Sequence, residues 1–124
     1  MSIKRIHSGG VFEPKIGYCR AVVAGGFIHV SGTVAGPELP DDVVGQCKSA
    51  LDIIGKALAE AGASFADAVR VTYILPDPSE FEACWPILAE TFGANPPAAM
   101  MISAGLIDLK YKIEIELTAL APSA

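Results

Sequence analysis

Few side chains in this chain have types and spacing that suit chemistry. Cys19, Cys47 and Cys84 are widely separated, odd in number and contain no Cys-x-x-Cys pair, so neither a disulfide framework nor a structural zinc site is indicated. His7 and His29 stand apart and supply no ligand spacing, so no metal or other cofactor is expected. Ser31 has only His29, on its own strand, as a nearby base, whereas a Ser-His-acid hydrolase needs three groups converging on one point. What remains is Tyr18 with Arg20, and Glu114 with Glu116. Members of each pair are two residues apart, which in an extended chain places them on one face.

The elements that must position these residues can be read from periodicity. Apolar residues over 41–61 (Val43, Val44, Cys47, Ala50, Leu51, Ile54, Ala57, Leu58, Ala61) recur at i, i+3, i+4, i+7 and predict a helix. Gln46, Ser49, Asp52, Lys56 and Glu60 fall on its complementary face; Pro40-Asp41-Asp42 opens it with capping acids, and Gly62 closes it. Asp77-Pro78-Ser79-Glu80 announces a second helix through Gly93, with Asp77 as cap, Pro78 in the first turn and Glu80 as capping-box partner. Pro86 predicts a kink or a 3₁₀ start. Residues 18–24 and 27–33 read as a hairpin turning on Gly25-Gly26. Further strands are expected at 69–75, 98–103 and 110–120, with a possible one at 3–7, giving an α+β two-layer sandwich.

With the turn on Gly25-Gly26, Tyr18, Arg20, Val22, His29, Ser31 and Thr33 share one sheet face, and Cys19, Ala21, Val23, Ile28 and Val30 share the other. The second set is apolar and belongs under the helices. The first mixes polar and apolar groups, which favours association through that face. Arg20 is then a candidate anion binder; its alternative is pairing with Glu114 or Glu116 at the subunit interface.

Composition excludes several classes. Fourteen acidic residues against nine basic ones give a formal charge of −5, which argues against nucleic-acid binding driven by phosphate neutralisation. No apolar run is long enough to span a membrane, and the basic start lacks the apolar stretch of a secretory signal. The expectation is one domain, 1–124, in the cytoplasm.

Ile16-Gly17-Tyr18, the run Ile28-His29-Val30-Ser31-Gly32-Thr33, the 77–92 helix, Pro96-Pro97-Ala98 and the terminal Ile113-Glu114-Ile115-Glu116-Leu117-Thr118-Ala119 together resemble the RidA (YjgF, L-PSP) family of imine/enamine deaminases. The resemblance implies a chorismate-mutase-like fold: a mixed β-sheet with two helices on one face, assembled as a homotrimer with a small-molecule pocket at each subunit interface. It implies Glu114 as the carboxylate that positions the hydrolytic water, and pocket roles for Tyr18, Ser31 and Gly32. Three positions depart from the family pattern. Ala99 stands where an arginine grips the substrate carboxylate, Trp85 where an asparagine is common, and Met101 where a cysteine is common. The expected activity is hydrolysis of an imine or enamine other than the small 2-imino acids. The alternatives are a non-catalytic ligand-binding or interaction trimer and, against the acidic charge, an endoribonuclease.

Overall fold

The computed structural model describes residues 2–123. In chain order its elements are β1 (Lys4–Ile6), α1 (Phe12–Ile16), β2 (Ala21–Ala24), β3 (Phe27–Thr33), α2 (Val43–Glu60), β4 (Ala68–Leu75), α3 (Trp85–Phe92), β5 (Ala98–Ser103) and β6 (Glu114–Leu120). The strands form one mixed sheet in the order β1-β2-β3-β6-β4-β5, in which only β4 and β5 run parallel. The α+β architecture read from the sequence is therefore the observed one.

The β2–β3 hairpin pairs Val22 with His29 and Ala24 with Phe27. Gly25 and Gly26 both have positive φ (61° and 86°), as the tight hairpin turn between these strands requires. Ile28, Val30, Ile115, Leu117 and Ala119 point to one side and are buried with Cys47, Ala50, Ile54 and Leu58 of α2. Each large aliphatic side chain buried there contributes on the order of 1.5–3 kcal/mol. Neither α2 nor α3 covers the opposite side of the sheet, and Phe27, Met100, Ile102 and Leu120 remain substantially exposed.

Several local expectations need correction. Residues 110–113 are not strand; β6 begins at Glu114. The cause lies in α2, where Gln46 is buried rather than solvated. Its amide donates to the carbonyls of Pro40 (3.0 Å) and Lys110 (3.1 Å) and accepts from the Lys112 N–H (2.8 Å), satisfying a segment without ladder partners. Ser49 is likewise buried; it accepts from Gly36 N–H and bonds the Glu38 carboxylate. The regular pairing of β2 begins at Ala21 rather than residue 18; the Arg20 backbone still donates to the Ile6 carbonyl and accepts from Ser31 N–H, but the Cys19 carbonyl is taken by the Ser31 hydroxyl. Gly17, at positive φ, ends α1, a short helix the periodicity did not show.

Asp77 accepts from Ser79 N–H as expected, but two 3₁₀ turns follow before α3, with Pro86 in the first turn of that helix, where the missing N–H costs nothing. Glu80 does not close a capping box and instead faces Lys112 at 3.7 Å. The acids before α2 make no side-chain cap bond.

Candidate functional site

Where β3 leaves the hairpin, its register slips: Val30 pairs with Leu117 but Thr33 with Ile115, so three steps on one strand match two on the other. The extra residue falls within Ser31-Gly32. At Gly32 the chain passes directly beneath Glu114, and a Cβ there would lie 2.5 Å from that carboxylate's Oε2, so any side chain at this position would push the Glu114 carboxylate aside. A cleft of about 940 Å³ opens above this point, lined by Tyr18, Arg20, Ser31, Gly32, Glu114 and Glu116 among others. Apolar walls come from Phe12, Ile16, Leu39, Ile53 and Ile107.

Arg20 is buried and fully engaged. Nη1 donates to the Gly32 carbonyl (2.8 Å) and Thr33 Oγ1 (3.0 Å), Nε to Ser8 Oγ (3.2 Å), and Nη2 to the Tyr18 hydroxyl (3.3 Å). Within the protomer its ionic partner is Glu13, 3.5 Å away, and neither Glu114 nor Glu116 of the same protomer pairs with it. Seven residues upstream in a segment without periodicity, Glu13 gave no signal in the sequence.

The Glu13 carboxylate accepts from Ser8 N–H, the Ser8 hydroxyl and Gly10 N–H (3.0 Å). Burial alone would raise its pKa, but these bonds and the Arg20 charge together hold it below the ordinary carboxylate range. His7 approaches the other face of this carboxylate at 3.7 Å. The loop 8–10, Glu13 and Arg20 thus fix both Tyr18 and the Gly32 turn as one unit.

Glu114 is half-buried and differs from Glu13 in every respect that matters. Burial raises its pKa, the neighbouring Glu116 charge raises it further, and Arg20 only partly offsets them. No hydrogen bond lowers it, so the carboxylate faces the cleft with an appetite for protons.

Trp85, Ala99 and Met101 do not line this cleft. Ala99 pairs with Val71 and Met101 with Tyr73, on the helix side of the sheet, whereas Glu114 and Glu116 share the opposite side with Ile74 and Thr72. Trp85 stacks edge-on against Phe81 (6.4 Å), which packs on Tyr73 (5.2 Å). Of the eight positions named from the sequence, Tyr18, Arg20, Ser31, Gly32 and Glu114 meet in the cleft, while Ala99 and Met101 on β5 and Trp85 on α3 lie outside it.

Other groups offer less. Cys19, Cys47 and Cys84 are free and buried, and the bond to Cys84, then burial, push the Cys47 thiol up, away from thiolate chemistry. Among the described residues no cluster of metal-ligating side chains occurs, and no helix is long and apolar enough to cross a membrane. The sequence reading missed Glu13 and Gln46. For Gln46 a signal existed, since it falls three residues after Val43 and four before Ala50, on the buried stripe itself.

Comparison with known proteins fits this geometry. A "RutC family protein" of Pyrococcus abyssi is 32% identical over 107 residues, covering 82% of this chain and 84% of that protein. A 2-iminobutanoate/2-iminopropanoate deaminase of Capra hircus is 30% identical, covering 94% of this chain and 90% of that enzyme. The crystal structure of a YjgF/YER057c/UK114 family member from Mycobacterium tuberculosis superposes with a TM-score of 0.90 at 35% identity, covering 97% of this chain and all (100%) of that one. A YjgF family structure from Neisseria meningitidis gives 0.82 at 28% identity, covering 100% and 98%. The family model described as endoribonuclease L-PSP matches residues 11–121, and this chain is therefore a member of that family, the RidA/YjgF group that its sequence resembles.

Proposed function

We propose that this protein is a homotrimer that binds a small molecule at each subunit seam and hydrolyses the C=N bond of an imine, or of an enamine through its imine form. The observation that carries this reading is the free, half-buried Glu114 carboxylate facing an apolar cleft beside Tyr18 and Gly32. Hydrolysis needs water added to the imine carbon. A carboxylate with raised proton affinity can take a proton from that water as it attacks and return it to nitrogen. The remaining hydroxyl proton then passes to nitrogen through the same carboxylate as the C–N bond breaks, ammonia leaves, and the carbon retains the water oxygen as a carbonyl. Tyr18, its hydroxyl held by Arg20, is suited to orient the substrate, and Ser31 and Gly32 to line its path.

Two features support a trimer with composite sites. Ala99 and Met101 face the helix side of the sheet, opposite Glu114, and neither they nor Trp85 of α3 line its cleft within one protomer. The sheet face away from α2 and α3 leaves Phe27, Met100, Ile102 and Leu120 exposed, and docking neighbouring copies there would bury them. Free, buried cysteines suit a reducing compartment such as the cytoplasm.

The small 2-imino acids fit poorly, since Ala99 offers no guanidinium for a carboxylate and Arg20 is bound to Glu13. That same absence favours the second reading, a non-catalytic ligand-binding trimer. Ribonuclease chemistry has less support: among the described residues the cleft's cations are Arg20 and Lys110, facing two carboxylates.

The test is to generate imines in situ with an amino-acid oxidase and with an amine oxidase, and to follow carbonyl formation with and without this protein. Acceleration with amine-derived imines supports the deaminase reading. Acceleration of neither, persisting in Ala99→Arg, leaves the non-catalytic trimer. Sedimentation at working concentration checks the assembly, and a monomer would overturn the composite site.

A further inference from the structure

Resting on the reading above, we propose that the cleft selects substrates with a positively charged nitrogen and no carboxylate: a protonated imine on an apolar body. Charges around the cavity are unequal in their freedom. Arg20 lies deep, but its guanidinium is held by Glu13 and donates to Ser8, Tyr18, Gly32 and Thr33, leaving no edge for a bidentate grip on an acid. Lys110 is exposed at the rim, its ammonium 5.4 Å from the Tyr111 ring, where solvent screens any hold on an anion.

Both lining carboxylates lack such partners. Glu114 and Glu116 stand two residues apart on the same side of β6, neither in an ion pair among the described residues. Glu13, outside the cavity lining, offsets Arg20, so the cavity's unpaired charges are Glu114 and Glu116 against the solvent-screened Lys110. A low-dielectric cleft with that balance draws cations and repels anions. An iminium is also the more electrophilic form of an imine, so the charge that binds it favours the form that water attacks. The apolar walls formed by Phe12, Ile16, Leu39, Ile53 and Ile107 would hold the rest of the molecule.

Two stable probes of equal length test this. Butyramidinium mimics the planar iminium cation, and butyrate mimics an acid. Each is titrated into the ¹⁵N-labelled protein, with shifts followed at the amides of Gly32 and Glu114. The expected result is butyramidinium binding about tenfold or more tighter than butyrate, with that advantage reduced about fivefold or more in Glu114→Gln and in the exposed variant Glu116→Gln. Equal or tighter butyrate binding, no saturable shift with butyramidinium, or indifference to both substitutions would overturn it. Turnover separates the two ideas. Imine hydrolysis with a butyrate preference leaves the deaminase reading standing and removes this one; an amidinium preference without hydrolysis of any imine does the reverse.

Discussion

Around Arg20, polar atoms find fixed partners: the guanidinium reaches Ser8, Glu13, Tyr18, Gly32 and Thr33 within a few ångströms. Along β5, at the other end of the sheet, Ala98, Ala99, Met100, Ile102 and Ser103 lie exposed and only Met101 leans on the core. One wall is finished within the protomer, while the other ends in open, largely apolar surface. The difference teaches where precision is stored. A buried ionic network allows one geometry, because each group deprived of its partner is costly. An apolar strand accepts whatever packs against it, and the second half of a composite pocket can come from another copy.

The comparison can be broken first at the finished wall. Glu13→Leu strands Arg20 without its counter-charge, and urea unfolding should show a loss of about 3–5 kcal/mol. Next, Glu114→Gln should slow hydrolysis of whichever oxidase-generated imine the parent turns over by about a hundredfold or more, with circular dichroism unchanged. Gln46→Ala removes the bonds that pin Pro40, Lys110 and Lys112, and should cost about 1–3 kcal/mol in the same unfolding experiment. At the open edge, Met100→Glu should weaken assembly about tenfold, read by sedimentation, while leaving the protomer's own stability nearly unchanged.

The smallest effect concerns pH. Glu114 binds its proton more tightly in the folded protein than in the unfolded chain, whose carboxyls titrate near 4.5. Its favourable contribution is therefore present below that value and lost as pH rises through the higher folded one. Glu114→Gln should consequently raise the urea midpoint relative to the parent at pH 8 and lose that advantage near pH 4. Glu13 has the opposite sign: its contribution is present above the unfolded value and lost as pH falls through the lower folded one. The deficit of Glu13→Leu should accordingly shrink in acid.

Much of the fold was legible because it rests on periodicity. The stripe from Val43 to Leu58 and the alternation Ile113, Ile115, Leu117, Ala119 are both buried as written. So was the hairpin, since two glycines at its tip admit one tight turn. The cleft's core of Tyr18, Arg20 and Glu114 came from face-sharing on strands and from the family resemblance. Glu13 escaped notice because its loop, wrapped around a carboxylate by Ser8 and Gly10, has no period to read. Gln46 was placed in solvent because its side chain is polar, although its position on the helix faces inward; unmet backbone groups at Lys110 and Lys112 decided the matter. Local pattern reports which residues are inside, and only three-dimensional neighbours report what they are bonded to.

The strand bearing Glu114 is sixth in the chain but fourth across the sheet, wedged between β3 and β4. During synthesis the β1–β3 portion and the β4–β5 portion therefore have no common seam until residues 114–120 emerge. Each presents a bare strand edge in the interval, open to wrong pairing. The cleft cannot exist in a nascent protein before that moment, so the acidic group at its centre arrives together with the stitch that completes the sheet.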